Sequence, residues 1–164
     1  MRDRRVNMYT KDVQHRDGVG DTYTWVLQHL GHLLGDKVPE VIVTDRELGL
    51  IAALRVVFPH VQHNLCHVHI LRNCEDKAMK QAGNVDVARR FKSECRRLFM
   101  SPTEELHEAR RRGMHAGWGS LMRYVQTVWL TLYRDNIVRA WTDRCFHIGT
   151  RTTNRYIVRS PRNY

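Results

Sequence analysis

The chain has 164 residues, a length that suits one domain and suffices to close a single hydrophobic core. Lys+Arg 27 against Asp+Glu 17 leaves a formal charge of +10, which favours a polyanionic partner such as nucleic acid; yet 22 of the 27 basic residues are arginine, a bias that a GC-rich coding sequence alone produces. Four widely spaced cysteines (Cys66, Cys74, Cys95 and Cys145) argue against a disulfide framework. No N-terminal apolar run resembles a signal peptide, and no run approaches the ~20 apolar residues of a membrane span, so a soluble, reduced, intracellular setting is expected.

Residues 1–20 are charged, with Arg2, Arg4, Arg5, Lys11 and Arg16 and almost no apolar period, and read as a disordered or non-native lead-in. From Asp21 as cap, the spacing predicts an amphipathic helix over 22–34 that ends at Gly35 and packs on a sheet. Val26, Leu27, Leu30, Leu33 and Leu34 form its stripe, with Tyr23 and Trp25 as core aromatics. Residues 40–44 (EVIVT) are a β-branched run without helical period, preceded by Pro39, and predict a short buried strand.

Asp45 follows that strand. At the carboxyl ends of strands in an open α/β sheet, side chains project into a crevice that the helices leave open, so Asp45 is a candidate catalytic or metal-binding acid. The competing possibility is that it merely caps the next helix. Thr44 with Glu47 forms a T-x-x-E capping box that leaves Asp45 at the first position of a helix over 46–57 with its carboxylate free. Between Leu48 and Phe58 only Arg55 is polar, which predicts a helix buried nearly all round.

Next, His60, His63, His67 and His69 crowd around Cys66. Thiolate and imidazole are the usual zinc ligands, but Cys66-x-x-His69 supplies half a tetrahedral site, and completion would need Cys74 or the distant Cys145-x-His147. Histidines 60, 63 and 67 read as surface or interface residues. Helices are predicted over 67–80, 86–99, 103–112 and 118–132. Ala88, Phe91, Cys95, Leu98 and Phe99 form the inner face of the second, opposite Arg89, Arg90, Lys92, Arg96 and Arg97. Ser101, Pro102 and Glu104 would open the third, and Arg110-Arg111-Arg112-Gly113 would end it. The fourth would carry Leu121, Tyr124, Val125, Val128, Trp129 and Leu132 inward.

Three pieces, the VIVTDRELGLIAALRVVFP run, the CHVHILRN segment and the downstream WTDRCFHIGTRTTNR, resemble in order and spacing the central and C-terminal parts of the Mutator-like element (MULE) transposases. The resemblance extends over 21–155, leaving 1–20 as lead-in and 156–164 as a divergent tail. It implies an α/β fold: a partial ribonuclease H-like core of the DDE type with a long all-helical insertion. It also implies DNA transposition in the nucleus, a partner in transposon-end DNA, possible self-association, and no membrane partner. Asp45 matches the second of three catalytic acids, and Cys66 and His69 match a C-x-x-H motif that, with His147, helps shape the pocket.

In such enzymes two Mg²⁺ or Mn²⁺ ions, about 4 Å apart, activate the attacking oxygen and stabilise the leaving one, and three carboxylates hold both. Here the departures matter. No strand surrounds Asp3, Asp12 or Asp17 to supply the first acid, and Ile157 stands where the third acid is expected. The chain is therefore expected to be a transposase fragment that binds metal loosely and does not cut. The alternatives are a host-adopted protein that binds DNA or a partner without cutting, and, more weakly, a zinc-stabilised module on Cys66, His69, Cys145 and His147.

Overall fold

The structure, a computed structural model, describes residues 19–143. They fall into two compact units, one of residues 19–39 and 46–61, the other of residues 40–45 and 62–143.

The first unit is a pair of helices, α1 (Val19–Leu34) and α2 (Leu48–Val57). Its core is thin: Leu27, Ile51, Ala53, Leu54 and Phe58 are buried. Two glycines bring the helices close. A Cβ at Gly49 would stand 3.2 Å from the Tyr23 ring, and one at Gly31 would stand 3.6 Å from Phe58. Several expectations fail here. Asp21 lies inside α1, which starts at Val19, and is not its cap. Trp25 is 59% exposed, and Val26, Leu30 and Leu33 are exposed too, so the helix buries its Leu27 side and not the whole stripe. α2 is not buried all round either, because Leu48 and Val56 face solvent. It also begins two residues late. Glu47 itself is the cap, its carboxylate accepting from the Gly49 N–H, so the Thr44–Glu47 box does not form.

The second unit holds a two-stranded parallel sheet, β1 (Val41–Thr44) and β2 (Gln62–Leu65), and the remaining helices. Val41 pairs with Gln62 and Thr44 with Leu65. The sequence pattern misses β2 because QHNL carries three polar residues. A parallel partner nevertheless needs a crossover connection of a dozen residues or more, and residues 45–61 provide it. So short a ladder is marginal alone. It is held from far along the chain: with the N–H groups of Gln62 and Cys66 bonding toward β1, the His63 carbonyl lies on the far edge, where Asn136 Nδ2 donates to it at 2.7 Å.

The helices are α3 (His67–Ala82), α4 (Val85–Phe99), α5 (Glu104–Val125), a π-helical turn (Gln126–Leu130), α6 (Thr131–Ile137) and α7 (Arg139–Thr142). Residues 67–142 are thus nearly all helical, as expected. Gly83, at φ 62°, closes α3 in a left-handed turn that a Cβ disfavours, and Asn84 caps α4 by accepting from the N–H groups of Asp86 and Val87. α4 buries Ala88, Phe91, Cys95, Leu98 and Phe99, the face its periodicity predicts. Cys74 of α3 meets Cys95, and this contact, with burial, pushes the Cys95 thiol far above its ordinary pKa, so Cys95 stays protonated in the core.

The next stretch departs from expectation. Thr103 is the cap of α5, accepting from the Leu106 N–H, whereas Ser101 is buried and donates to the Arg97 carbonyl. Cations at Arg110-Arg111-Arg112 do not end the helix at Gly113. It runs on to Val125, interrupted at Gly119 (φ 45°, ψ −110°), a conformation open to glycine. The π-helical turn then fits one extra residue into a turn and rotates the buried face. Leu130 and Tyr133 are consequently buried, and Leu132, expected inside, is exposed.

Candidate functional site

Asp45 is the first residue after β1, exposed and outside any helix. Its placement comes from the strand, since Cys66 N–H bonds to the Thr44 carbonyl at 2.7 Å and closes the sheet where the acid begins. Thr44 Oγ1 donates to the Asp45 carbonyl at 2.8 Å and lies 2.7 Å from His63 Nε2. The hydroxyl has one proton, already given to the carbonyl, so His63 is the donor and holds its proton on Nε2. A chain of bonds therefore runs from the Asn136 amide to the His63 backbone, and from the His63 ring through Thr44 to the backbone of the acid. Among the described residues, the Asp45 carboxylate makes no hydrogen bond or ion pair, which leaves it open to a cation or a ligand.

The other expected site residues are not gathered with it. Cys66 is buried at the start of α3, while His69 is exposed on the first turn of the same helix. The C-x-x-H pair is thus split between core and surface. His67, expected at the surface, is buried: its Nε2 donates to the Ile137 carbonyl at 2.7 Å and pins the start of α3 to the end of α6. His63 is half-buried in the bond chain described above, and His60 is exposed as expected. Cys145, His147, Ile157, the TTNR run and both terminal segments lie outside the described residues.

No group of three or more His, Cys, Asp or Glu side chains among the described residues could hold a metal ion. Glu47, the nearest carboxylate in sequence, is occupied as the cap of α2. Among the described residues, the donor set around Asp45 is therefore one hard oxygen ligand, which fits one end of a hydrated divalent cation and does not by itself make a paired-metal clamp.

Sequence reasoning missed His63 and Asn136. The first hides in a polar strand, and the second stands 73 residues downstream with no local pattern to mark it. No helix among the described residues is long and apolar enough to cross a membrane.

Residues 18–73 match the family model of the MULE transposase domain. The match takes in α1, β1, α2, β2 and the start of α3, and with them Asp45, Cys66 and His69. The resemblance read from the sequence stands over that segment, consistent with a MULE transposase fragment. No curated protein and no solved structure matches the chain.

Proposed function

We propose that this chain carries the second-acid segment of a MULE-type DDE transposase, with Asp45 as the metal-binding carboxylate, and that it engages DNA in the nucleus without cutting it. One observation carries this reading: within the matched residues the single aspartate at the carboxyl end of β1 is open, and the bond chain from His63 and Thr44 fixes its backbone. Asp45 supplies one hard oxygen. When Mg²⁺ or Mn²⁺ is bound, the ion supplies charge stabilisation at the reacting phosphate. His63 and Thr44 touch no metal and hold the acid's backbone at the strand end.

The test is Mn²⁺ titration of the purified chain followed by electron paramagnetic resonance. One weak site that disappears in Asp45→Asn supports the assignment. An undiminished signal in that variant removes Asp45 from it. The same lone carboxylate also favours a non-catalytic DNA-binding protein derived from a transposase, which makes the same prediction for cleavage.

A further inference from the structure

The outer face of α4 is strongly basic. Core residues Ala88, Phe91, Cys95, Leu98 and Phe99 occupy one side, and Arg89, Arg90, Arg96 and Arg97 stand exposed on the other, with Ser93 between them. Each arginine of the first pair is repeated two turns on, so Arg89–Arg96 and Arg90–Arg97 form two parallel rows about 10 Å long. Among the described residues, Arg89, Arg90 and Arg96 have no acidic partner, whereas Arg97 pairs with Glu94 at 3.1 Å and Lys92 with Glu75. Arg110 of α5 adds a cation at the end of this face, where it donates to the Arg97 carbonyl and to Ser101 Oγ. Asp86 stands exposed one turn before Arg89 and Arg90, and Glu94 pairs with Arg97, so the face carries both signs with the four arginines in excess.

We propose that this face of α4 is a docking surface for the phosphate backbone of duplex nucleic acid. Rows two turns long suit a repeating anion and not a single one. Exposed Trp, Tyr or Phe is missing from the described face, so bases have nothing to stack on, which disfavours a single strand. It also lacks the apolar anchors on which protein interfaces depend and the apolar residues that would enter a membrane. Arginine forks match phosphate oxygens and carry no sequence information in that role, so binding here is indifferent to sequence. The inference goes beyond the role of Asp45, because α4 lies outside residues 18–73 and holds no residue assigned to the metal.

The experiment is titration of a labelled 20-bp duplex with the full chain across a salt series. Each phosphate contact adds about 0.9 to the slope of log affinity against log salt. Replacing Arg89, Arg90, Arg96 and Arg97 by Ala is expected to lower the slope by about 3.6, so that about 150-fold of the affinity change between 50 and 200 mM salt disappears. The four Arg→Lys replacements keep the charge and the slope, which separates lost contacts from a damaged fold. Replacing the exposed cations Lys37 and Arg123 by Ala leaves the slope nearly unchanged. An unchanged slope in the four-Ala protein, an equal loss in the Lys37/Arg123 control, tighter binding to a single strand of the same length, or displacement of the duplex by polyglutamate at matched charge each overturns the proposal. Mn²⁺ binding at Asp45 stands or falls separately.

Discussion

Phe91 is the residue on which the packing of the helical unit can be tested most sharply. It is fully buried at the centre of the inner face of α4, and its ring lies 5.1 Å from that of Trp118 on α5, tilted at 59°. Removing a buried phenylalanine ring loses its transfer energy and leaves a cavity, together about 3–5 kcal/mol. The aromatic pair contributes about 0.5–1.5 kcal/mol of that beyond its buried area. Phe91→Ala should therefore forfeit a large part of a total stability that for a small domain is about 5–15 kcal/mol. With a urea dependence of about 1–3 kcal/mol per molar, the unfolding midpoint should fall by roughly 2 M. Phe91→Leu keeps most of the volume and should shift it much less. Circular dichroism at 222 nm through a urea series reads both. A fall of less than about 0.5 M in the alanine variant would show that α4 does not pack its predicted face against α5, and the account of the helical unit would be wrong.

Asn84→Ala removes the acceptor of two N–H groups at the start of α4 and should cost about 1 kcal/mol, read from the same urea series; no loss would mean that solvent satisfies those donors equally well. His107 is buried with Nδ1 donating to the Leu98 carbonyl, Nε2 without a partner, and the Trp141 ring edge-on at 5.3 Å. Burial lowers its pKa below the ordinary 6.5, outweighing the Leu98 carbonyl and Glu108, which raise it, while Arg134 and Arg111 lower it further. The unfolded chain then binds a proton that the native chain refuses. Stability from this group is full above pH 6.5 and is lost as pH falls from there toward the lower folded-state value. Urea midpoints between pH 8 and pH 5 should fall more steeply for the unaltered chain than for His107→Gln, and parallel curves would refute the assignment.

How much of this was legible beforehand depended on whether the signal was local. α4 was readable residue by residue because Ala88, Phe91, Cys95, Leu98 and Phe99 repeat at helical spacing and nothing distant competes. β1 was readable from four β-branched residues in a row. The start of α5 was not, since the Ser101–Glu104 box points to Ser101 as cap while Ser101 is buried beneath Arg110 and Thr103 caps the helix instead. Beyond Gln126, Trp129 lies inside as its spacing predicts, but Leu130 and Tyr133 were not legible and Leu132 was misplaced, because a π-helical turn shifts the phase without a sequence mark. The position of Asp45 at the end of β1 was legible, as strand followed by aspartate is a local pattern. Its support was not: His63 lies in a strand without apolar alternation, and Asn136 closes the sheet edge from the far end of the helical stretch.

Strand cleavage is the direct test of the claim that Asp45 acts as a lone carboxylate. Supercoiled plasmid and a linear duplex are incubated with the purified chain in Mg²⁺ or Mn²⁺, beside Asp45→Ala. One carboxylate leaves a divalent cation mostly hydrated, and without a second ion the in-line displacement loses its main electrostatic stabilisation. No metal-dependent nicking above background is expected from either protein. Nicking that requires the metal and disappears in Asp45→Ala would contradict the account, because it would mean that further carboxylates complete the site.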